Sequence, residues 1–416
     1  MALPSLCGVL MPVPILILSD APDSGTGLGR ITKDLAAVLS TMPEFRVGTL
    51  GRGGHGSKNF PWAQYTFDER LQWGESLLPD IWDDFSGGDF GIIFTIWDAS
   101  RLTWFGAPEN LPKGKLKNFL TSSSFHRWGY FPIDGHGPNK RLSVLGCETL
   151  KGFNRILAYS RYGQEILRNS VTASSCSTSN NQVIDFIPHG INPQIFYPKG
   201  AENGRKYLGI NETDTIIGCV MANQARKDWG TWARIAKELV DLDQEYMFWI
   251  HVDALERYWS IPALLADFGL EDNVRVTTDL SDAQLADMYS ACHLTILPSL
   301  GEGFGYPIAE SLACGTPVIH HDHAAGHEIM PRYGLTTPSP GIIDTGLLED
   351  HNYRLDTLHN VYRPVLDPHE WMDAILDVDW SRNSISKEAV RSVEYLHWNN
   401  LAPVWKSWFR SGIGQG

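Results

Sequence analysis

The sequence predicts an α/β protein: two doubly wound, Rossmann-like domains facing a central cleft. Three observations predict it. The chain opens as strand, glycine loop, helix: Pro14 to Leu18, then Ser24-Gly-Thr-Gly-Leu-Gly-Arg30, then Ile31 to Leu39. From Thr215 to His320, apolar strand-like runs alternate with helical patterns. Such alternation implies a parallel sheet with ligands at the carboxyl ends of its strands. Between the two regions, Gly190 to Lys199 carries Pro193 and Pro198 and has no clear periodicity, as a linker does. At 416 residues the chain is long for one domain and comfortable for two. The expected division is 1–190, a linker 191–200, a second domain 201–383, and a helical tail 384–416 that returns to the first domain.

Strands in the first half are expected at Val13–Leu18, Arg46–Leu50, Gly91–Ile96, Asn118–Ser122, Arg155–Ala158 and Val183–Ile187. Arg161–Arg168 has a helical pattern, and the Ser/Thr/Asn-rich stretch Thr172–Asn181 reads as a mobile loop. Second-half strands are expected at Thr215–Met221, Tyr246–Asp253, Val274–Thr278, Leu294–Leu297 and Pro317–His320. Helices are expected at Trp229–Val240, Tyr258–Phe268, Asp282–Cys292 and Pro307–Cys314, with Ser281 or Asp282 as a cap for the third. The tail from Ser386 to Phe409 reads as an amphipathic helix that Pro403 breaks or kinks.

Composition is that of a globular protein, 43% hydrophobic and 20% charged, so a packed core is available. Net charge is −14, and all of the excess lies after residue 196. An acidic second half disfavours broad attraction to nucleic acid or an anionic membrane. The neutral first half holds one candidate basic cluster: Lys113, Lys115, Lys117, Arg127, Lys140 and Arg141. The six cysteines are scattered without a C-x-x-C pair, which suggests a reducing, cytoplasmic compartment. The apolar run Cys7–Leu18 contains Pro12 and Pro14, lacks a basic flank and is too short to span a bilayer. Peripheral membrane contact stays open. Met11 is a candidate start, with residues 1–10 an extension.

The chemistry concentrates in Gly301-Glu-Gly-Phe-Gly-Tyr-Pro307, directly after an apolar strand. Glycines allow a tight turn and close approach to a ligand. Pro307 suits the start of a helix, and a helix N-terminus after a strand favours phosphate. Glu302 and Glu310 flank that start. They would repel a phosphate if aimed at it and are better placed to accept hydrogen bonds from hydroxyls beside it. Phosphate with hydroxyls on two sides describes a nucleotide-sugar.

The run Leu297 to Ile319, with Glu302 and Glu310 separated by seven residues and followed by Cys314-Gly-Thr-Pro-Val-Ile319, resembles the signature of retaining, family 4-like glycosyltransferases of the GT-B fold (glycosyl transferases group 1). Tyr130-Phe-Pro-Ile-Asp-Gly135, Ala158-Tyr-Ser-Arg-Tyr-Gly163 and Ile187-Pro-His-Gly-Ile191 are similar to other recurrent segments of that family. The resemblance implies that Glu310 holds ribose hydroxyls and Glu302 contacts the transferred sugar. It also implies that Gly303, Phe304 and Gly305 lie near the diphosphate and sugar.

Met221-Ala-Asn-Gln-Ala-Arg-Lys-Asp-Trp229 resembles the segment that neutralises the donor diphosphate. Lys227 matches its lysine. Asn223 stands where the family has an arginine, so Arg226 is the candidate substitute. The first-domain loop with Gly27 and Gly29 is expected to reach toward the diphosphate and acceptor, while Arg30 caps or packs its helix. A G-x-G-x-G loop alone is a weak dinucleotide signal. His126 is placed by position near the transferred sugar. Asp134 is either a cleft residue or an Asp-Gly turn. Gly326 and Glu328 match the family's loop near the donor. His320-His-Asp-His323 with His327 suggests a metal cluster, but the family works without bound metal, so none is expected. Trp62, Trp73, Trp82, Trp97, Trp104 and Trp128 are either core or an acceptor platform.

These expectations describe an enzyme with no resident cofactor. A UDP- or GDP-type sugar would be the donor, and a glycan, lipid, protein or small-molecule hydroxyl the acceptor. Two other readings remain: transfer to a modified base in nucleic acid, and a nucleotide-sugar-binding protein without turnover.

Overall fold

A computed structural model describes residues 11–54, 56, 59–172, 183–243, 245–321, 323–329, 353–356, 360–377 and 385–413. Residues 1–10, most of the Thr172–Asn181 loop and the 383/384 boundary lie outside the described residues.

The first sheet has seven strands: β1 (Val13–Asp20), β2 (Phe45–Arg52), β3 (Ala63–Phe67), β4 (Gly91–Ile96), β5 (Phe125–Phe131), β6 (Arg155–Ala158) and β7 (Val183–Phe186). Their order is β3-β2-β1-β4-β5-β6-β7, all parallel. The second sheet has β8 (Thr215–Val220), β9 (Tyr246–His251), β10 (Val274–Thr277), β11 (Leu294–Leu297) and β12 (Val318–His320), in the parallel order β10-β9-β8-β11-β12. Each order reverses once, between β1 and β4 and between β8 and β11. Such a switch point opens a crevice at the carboxyl strand ends. An antiparallel hairpin, β13 (Tyr353–Asp356) and β14 (Val361–Pro364), completes the strands among the described residues.

The central strands were expected because they are buried on both faces and read as continuous apolar runs. β1 and β4 are such runs, with every residue of β4 buried. Two strands give no such signal. β3 is a mostly exposed edge, and β5 opens with half-buried His126 and Arg127. The strand expected at Asn118–Ser122 is instead part of a helix, Lys115–Leu120. Leu116, Phe119 and Leu120 fall on one helical face and pack on the first-domain core.

The tail forms two helices, Ile385–Val393 and Trp398–Ile413. The interruption lies at residues 394–397, whereas Pro403 sits inside the second helix without ending it. That helix returns to the first domain. Phe409 packs against Phe94 and Trp128 at ring centroids of 5.2 and 5.5 Å, and Arg155 stacks 4.2 Å from the Trp408 ring and donates to its carbonyl. A Cβ on Gly412 would meet Trp128 at 2.2 Å, so only glycine allows this approach. Trp82, Trp97 and Trp128 are fully buried and Trp62 is buried, so these four are core and not a sugar platform.

The candidate basic cluster is largely engaged. Lys115 pairs with Asp80, Lys140 with Glu165, Lys117 donates to the Glu109 and Leu111 carbonyls, and Arg127 to that of Leu120.

Candidate functional site

The site grows from the two loops that leave β8 and β11 at their switch point. After β8 the chain makes a short 3-10 turn, Ala225–Lys227, and enters the helix Trp229–Leu242. After β11 it turns through Gly301–Gly305 into the helix Tyr306–Ala313. Gly305 caps that helix at φ +98°, a left-handed conformation that suits glycine. Pro307 occupies the first turn, where its missing N–H costs nothing. The amides of Gly303, Phe304 and Gly305 donate to no group among the described residues.

The loops are stitched together. Leu300 N donates to the Arg226 carbonyl at 2.8 Å, and Arg226 Nη1 donates to the Gly301 carbonyl at 2.6 Å. Lys227 Nζ pairs directly with Glu302 Oε1, and Arg226 lies 3.5 Å from Glu302 Oε2. Burial alone would lift Glu302, but Lys227 and Arg226 outweigh it and hold the carboxyl below the usual range. Burial pulls Lys227 down, and Glu302 restores part of that loss. Arg226 also reaches the first domain, with Nε 2.9 Å from Asp134 Oδ2. Asp134 accepts in addition from Arg363 of β14, at 3.0 Å. Asp134 is therefore a cleft residue.

Glu310 is buried in the helix Tyr306–Ala313 and accepts from the Tyr289 hydroxyl at 3.2 Å. Its other oxygen pairs with Arg30 of the first domain, which also reaches Asp282 at 2.8 Å. Tyr306 and Phe196 flank the Arg30 guanidinium at 5.1 and 5.6 Å. Burial raises Glu310, Asp282 adds to that rise, and Arg30 offsets only part of it. Arg30 thus does more than cap or pack its own helix: it crosses the cleft.

The two glycines of the first loop divide their roles. Gly27 faces the second domain, where a Cβ would touch Tyr306 at 3.8 Å. Gly29 is needed for packing, since a Cβ there would lie 2.2 Å from Ser24 Oγ, and its N–H is already taken by the Thr26 side chain.

Two expectations need correction. His126 sits near the amino end of β5, beside Ile92, with its ring 4.9 Å from Phe90. In a parallel sheet that end points away from the cleft, so His126 does not reach the site. Asn223 is fully buried and saturated. It donates to the Ala254 and Trp259 carbonyls at 2.9 and 2.7 Å and accepts from the Tyr258 and Trp259 amides. An amide side chain with all its groups so used clamps the 253–259 loop and offers nothing to a ligand. Gly326 lies tightly against His321 and His320, which explains its lack of a side chain, while Ala325 N donates to the Glu302 carbonyl at 3.2 Å. The loop therefore borders the site through its backbone. Nearby, Glu328 accepts from the Arg161 and Tyr162 amides and caps a first-domain helix, Arg161–Thr172. Among the described residues no three His, Cys, Asp or Glu side chains gather as a metal site.

Sequence reasoning assigned no part in the site to Tyr289, Asp282, Arg363 or His189. His189 is 1% exposed in the Ile187–Gly190 segment, with its ring 4.0 Å from Phe304 and 4.9 Å from Tyr306. Its Pro-His-Gly setting was the one available signal.

Residues 202–334 match the family profile of Glycosyl transferases group 1. Among similar curated proteins, the D-inositol 3-phosphate glycosyltransferase of Thermobispora bispora is 31% identical over 224 residues, covering 51% of this chain and 47% of that protein. The MMP alpha-(1->4)-mannosyltransferase of Mycolicibacterium hassiacum is 26% identical over 181 residues, 41% of each chain. The chain thus matches less than half the length of each of these relatives. Among solved structures, sucrose-phosphate synthase from Thermosynechococcus elongatus superposes with a TM-score of 0.70 over 97% of this chain and all of that one, at 17% identity. Anabaena HepE in complex with UDP and glucose superposes with a TM-score of 0.65 over 97% of this chain and all of that one, at 13% identity. Residues 202–334 thus match the Glycosyl transferases group 1, and the chain as a whole shares the two-domain GT-B fold.

Proposed function

We propose that this protein transfers a sugar from a nucleoside-diphosphate sugar, UDP- or GDP-type, to a hydroxyl acceptor with retention of anomeric configuration. One observation carries the reading. Glu310, Glu302, Lys227, Arg226 and three unused amides, Gly303 to Gly305, converge at the switch point of the second sheet. Each part then has a task. Glu310 accepts from the ribose hydroxyls and Glu302 from hydroxyls of the sugar. The amides at the start of the helix Tyr306–Ala313 cradle the diphosphate.

Lys227 and Arg226 stabilise the charge that grows on the diphosphate as it leaves. Arg226 does so from a position beside Lys227, in place of an arginine at 223. The acceptor oxygen attacks the anomeric carbon on the face from which the phosphate departs. The carbon–phosphate oxygen bond breaks, the carbon–acceptor oxygen bond forms, and the acceptor proton passes to the departing phosphate oxygen. Positioning and electrostatics supply the rate, and cleft closure limits hydrolysis of the donor. The relatives named for glycosyl transfer, and a fold neighbour solved with UDP and glucose, support this reading.

A thermal-shift screen of nucleoside diphosphates and their sugars tests it, followed by assay of nucleoside diphosphate release. Stabilisation by one nucleotide class with release of that nucleotide is expected. Binding without release under any acceptor would instead favour a non-catalytic binding protein.

A further inference from the structure

The first-domain wall of the cleft contains a second polar set that the donor chemistry does not use. Tyr130 donates its hydroxyl proton to the Ile187 carbonyl at 2.7 Å, so it can only accept at its 2.8 Å contact with His189 Nδ1. That contact places the imidazole proton on Nδ1. His189 Nε2 is left as a bare acceptor, with no hydrogen bond among the described residues. Its ring stands against Phe304 and Tyr306, the donor-loop residues.

Beside it, Tyr159 leaves the carboxyl end of β6 with its ring 4.4 Å from His189. Tyr159 is 3% exposed, yet among the described residues its hydroxyl has no hydrogen-bond partner. A buried polar group left unpaired is destabilising, so native structures pair such groups or use them. Burial holds both the Tyr159 hydroxyl and His189 in their neutral forms. Two neutral hydrogen-bonding groups suit hydroxyls and offer no charge to hold a phosphate or carboxylate.

We propose that His189 Nε2 and the Tyr159 hydroxyl form an acceptor subsite for an uncharged polyhydroxylated ring, a sugar or cyclitol, with Nε2 taking the proton of one ring hydroxyl and Tyr159 bonding its neighbour. The subsite rests on the donor reading above, because it lies across the cleft from the donor loop. It selects the acceptor class: a ring bearing free adjacent hydroxyls and no anionic group.

The test is calorimetric titration of the full chain loaded with saturating UDP or GDP, using methyl α-D-glucopyranoside, methyl α-D-mannopyranoside, myo-inositol and glucose 6-phosphate as probes. At least one neutral probe is expected to bind saturably and more tightly than the phosphorylated one. Tyr159→Phe, which removes a single oxygen, is expected to weaken that binding about three- to tenfold, the size of one neutral hydrogen bond. Nucleoside diphosphate affinity should stay within about twofold of wild type. His189→Phe, which keeps the ring and deletes the acceptor, should do the same. Unchanged probe affinity in Tyr159→Phe, tighter binding of glucose 6-phosphate, or no saturable neutral probe on the nucleotide-loaded wild type would each overturn the subsite alone. A wild type that binds no nucleoside diphosphate overturns the donor reading and the subsite with it.

Discussion

Removing Arg30 should tighten nucleotide binding while lowering the stability of the free protein. Arg30 spends its guanidinium on Glu310 and, at 2.8 Å, on Asp282, and two aromatic rings hold it there. If Glu310 is the ribose carboxylate, ribose and Arg30 compete for the same oxygens. A hydrogen bond to a charged group contributes about 1.5–3 kcal/mol. A nucleotide that must break it therefore gives up about ten- to a hundredfold in affinity. In Arg30→Ala that competition is gone, so the dissociation constant for UDP or GDP should fall by about that factor in calorimetry. Without ligand, Glu310 loses its cation and, among the described residues, keeps the Tyr289 hydroxyl, with Asp282 near by. Breaking a buried pair from one side costs about 3–5 kcal/mol. Since Arg30 is partly exposed, the lower end applies, and Tm should drop by several degrees. Weaker nucleotide binding in Arg30→Ala would refute the reasoning, because it would put Arg30 on the diphosphate and not in competition with the ribose.

Lys227→Ala should lower kcat by about 10²–10³ while changing nucleoside affinity much less, since the lysine acts mainly on charge that develops as the bond breaks; equal losses in both would remove that role. Trp408→Ala should cost about 3–5 kcal/mol, read as a fall in Tm, because it empties a site lined by Phe94, Trp128 and Arg155 and deletes an indole bond to Asp185 at 2.9 Å. Glu302 is held below its ordinary value near 4.5, so its ion pairs stabilise the fold above that pH and are lost as pH falls through the lower folded-state value. The Tm gap between wild type and Glu302→Gln should therefore be full at neutral pH and shrink below about pH 4.5; a gap that widens on acidification would contradict the sign.

What the sequence reveals depends on how local the physics is. β1, β4 and the glycine turn with Glu302 and Glu310 are legible because central strands are continuous apolar runs and because glycine and proline mark the turn. β5 hides behind half-buried His126 and Arg127 near its start, and with it the strand polarity that removes His126 from the cleft. Asn223 lies in register with a missing arginine, but its function depends on the 253–259 loop, thirty or more residues away. Arg363 carries no motif and becomes significant only because β14 delivers it to Asp134. Arg30 was visible as a residue but not as a bridge, since its partner Glu310 is 280 positions further along.

The return of the helix Trp398–Ile413 has a consequence for biosynthesis. Domains generally fold in the order they emerge from the ribosome. Here the first domain cannot do so fully, because Phe45, Phe94 and Trp128 wait for Trp408 and Phe409, which are translated after the whole second sheet. A nascent first domain would carry that bare aromatic surface throughout synthesis of the second, and the two halves would mature together, sealed by a segment made after both.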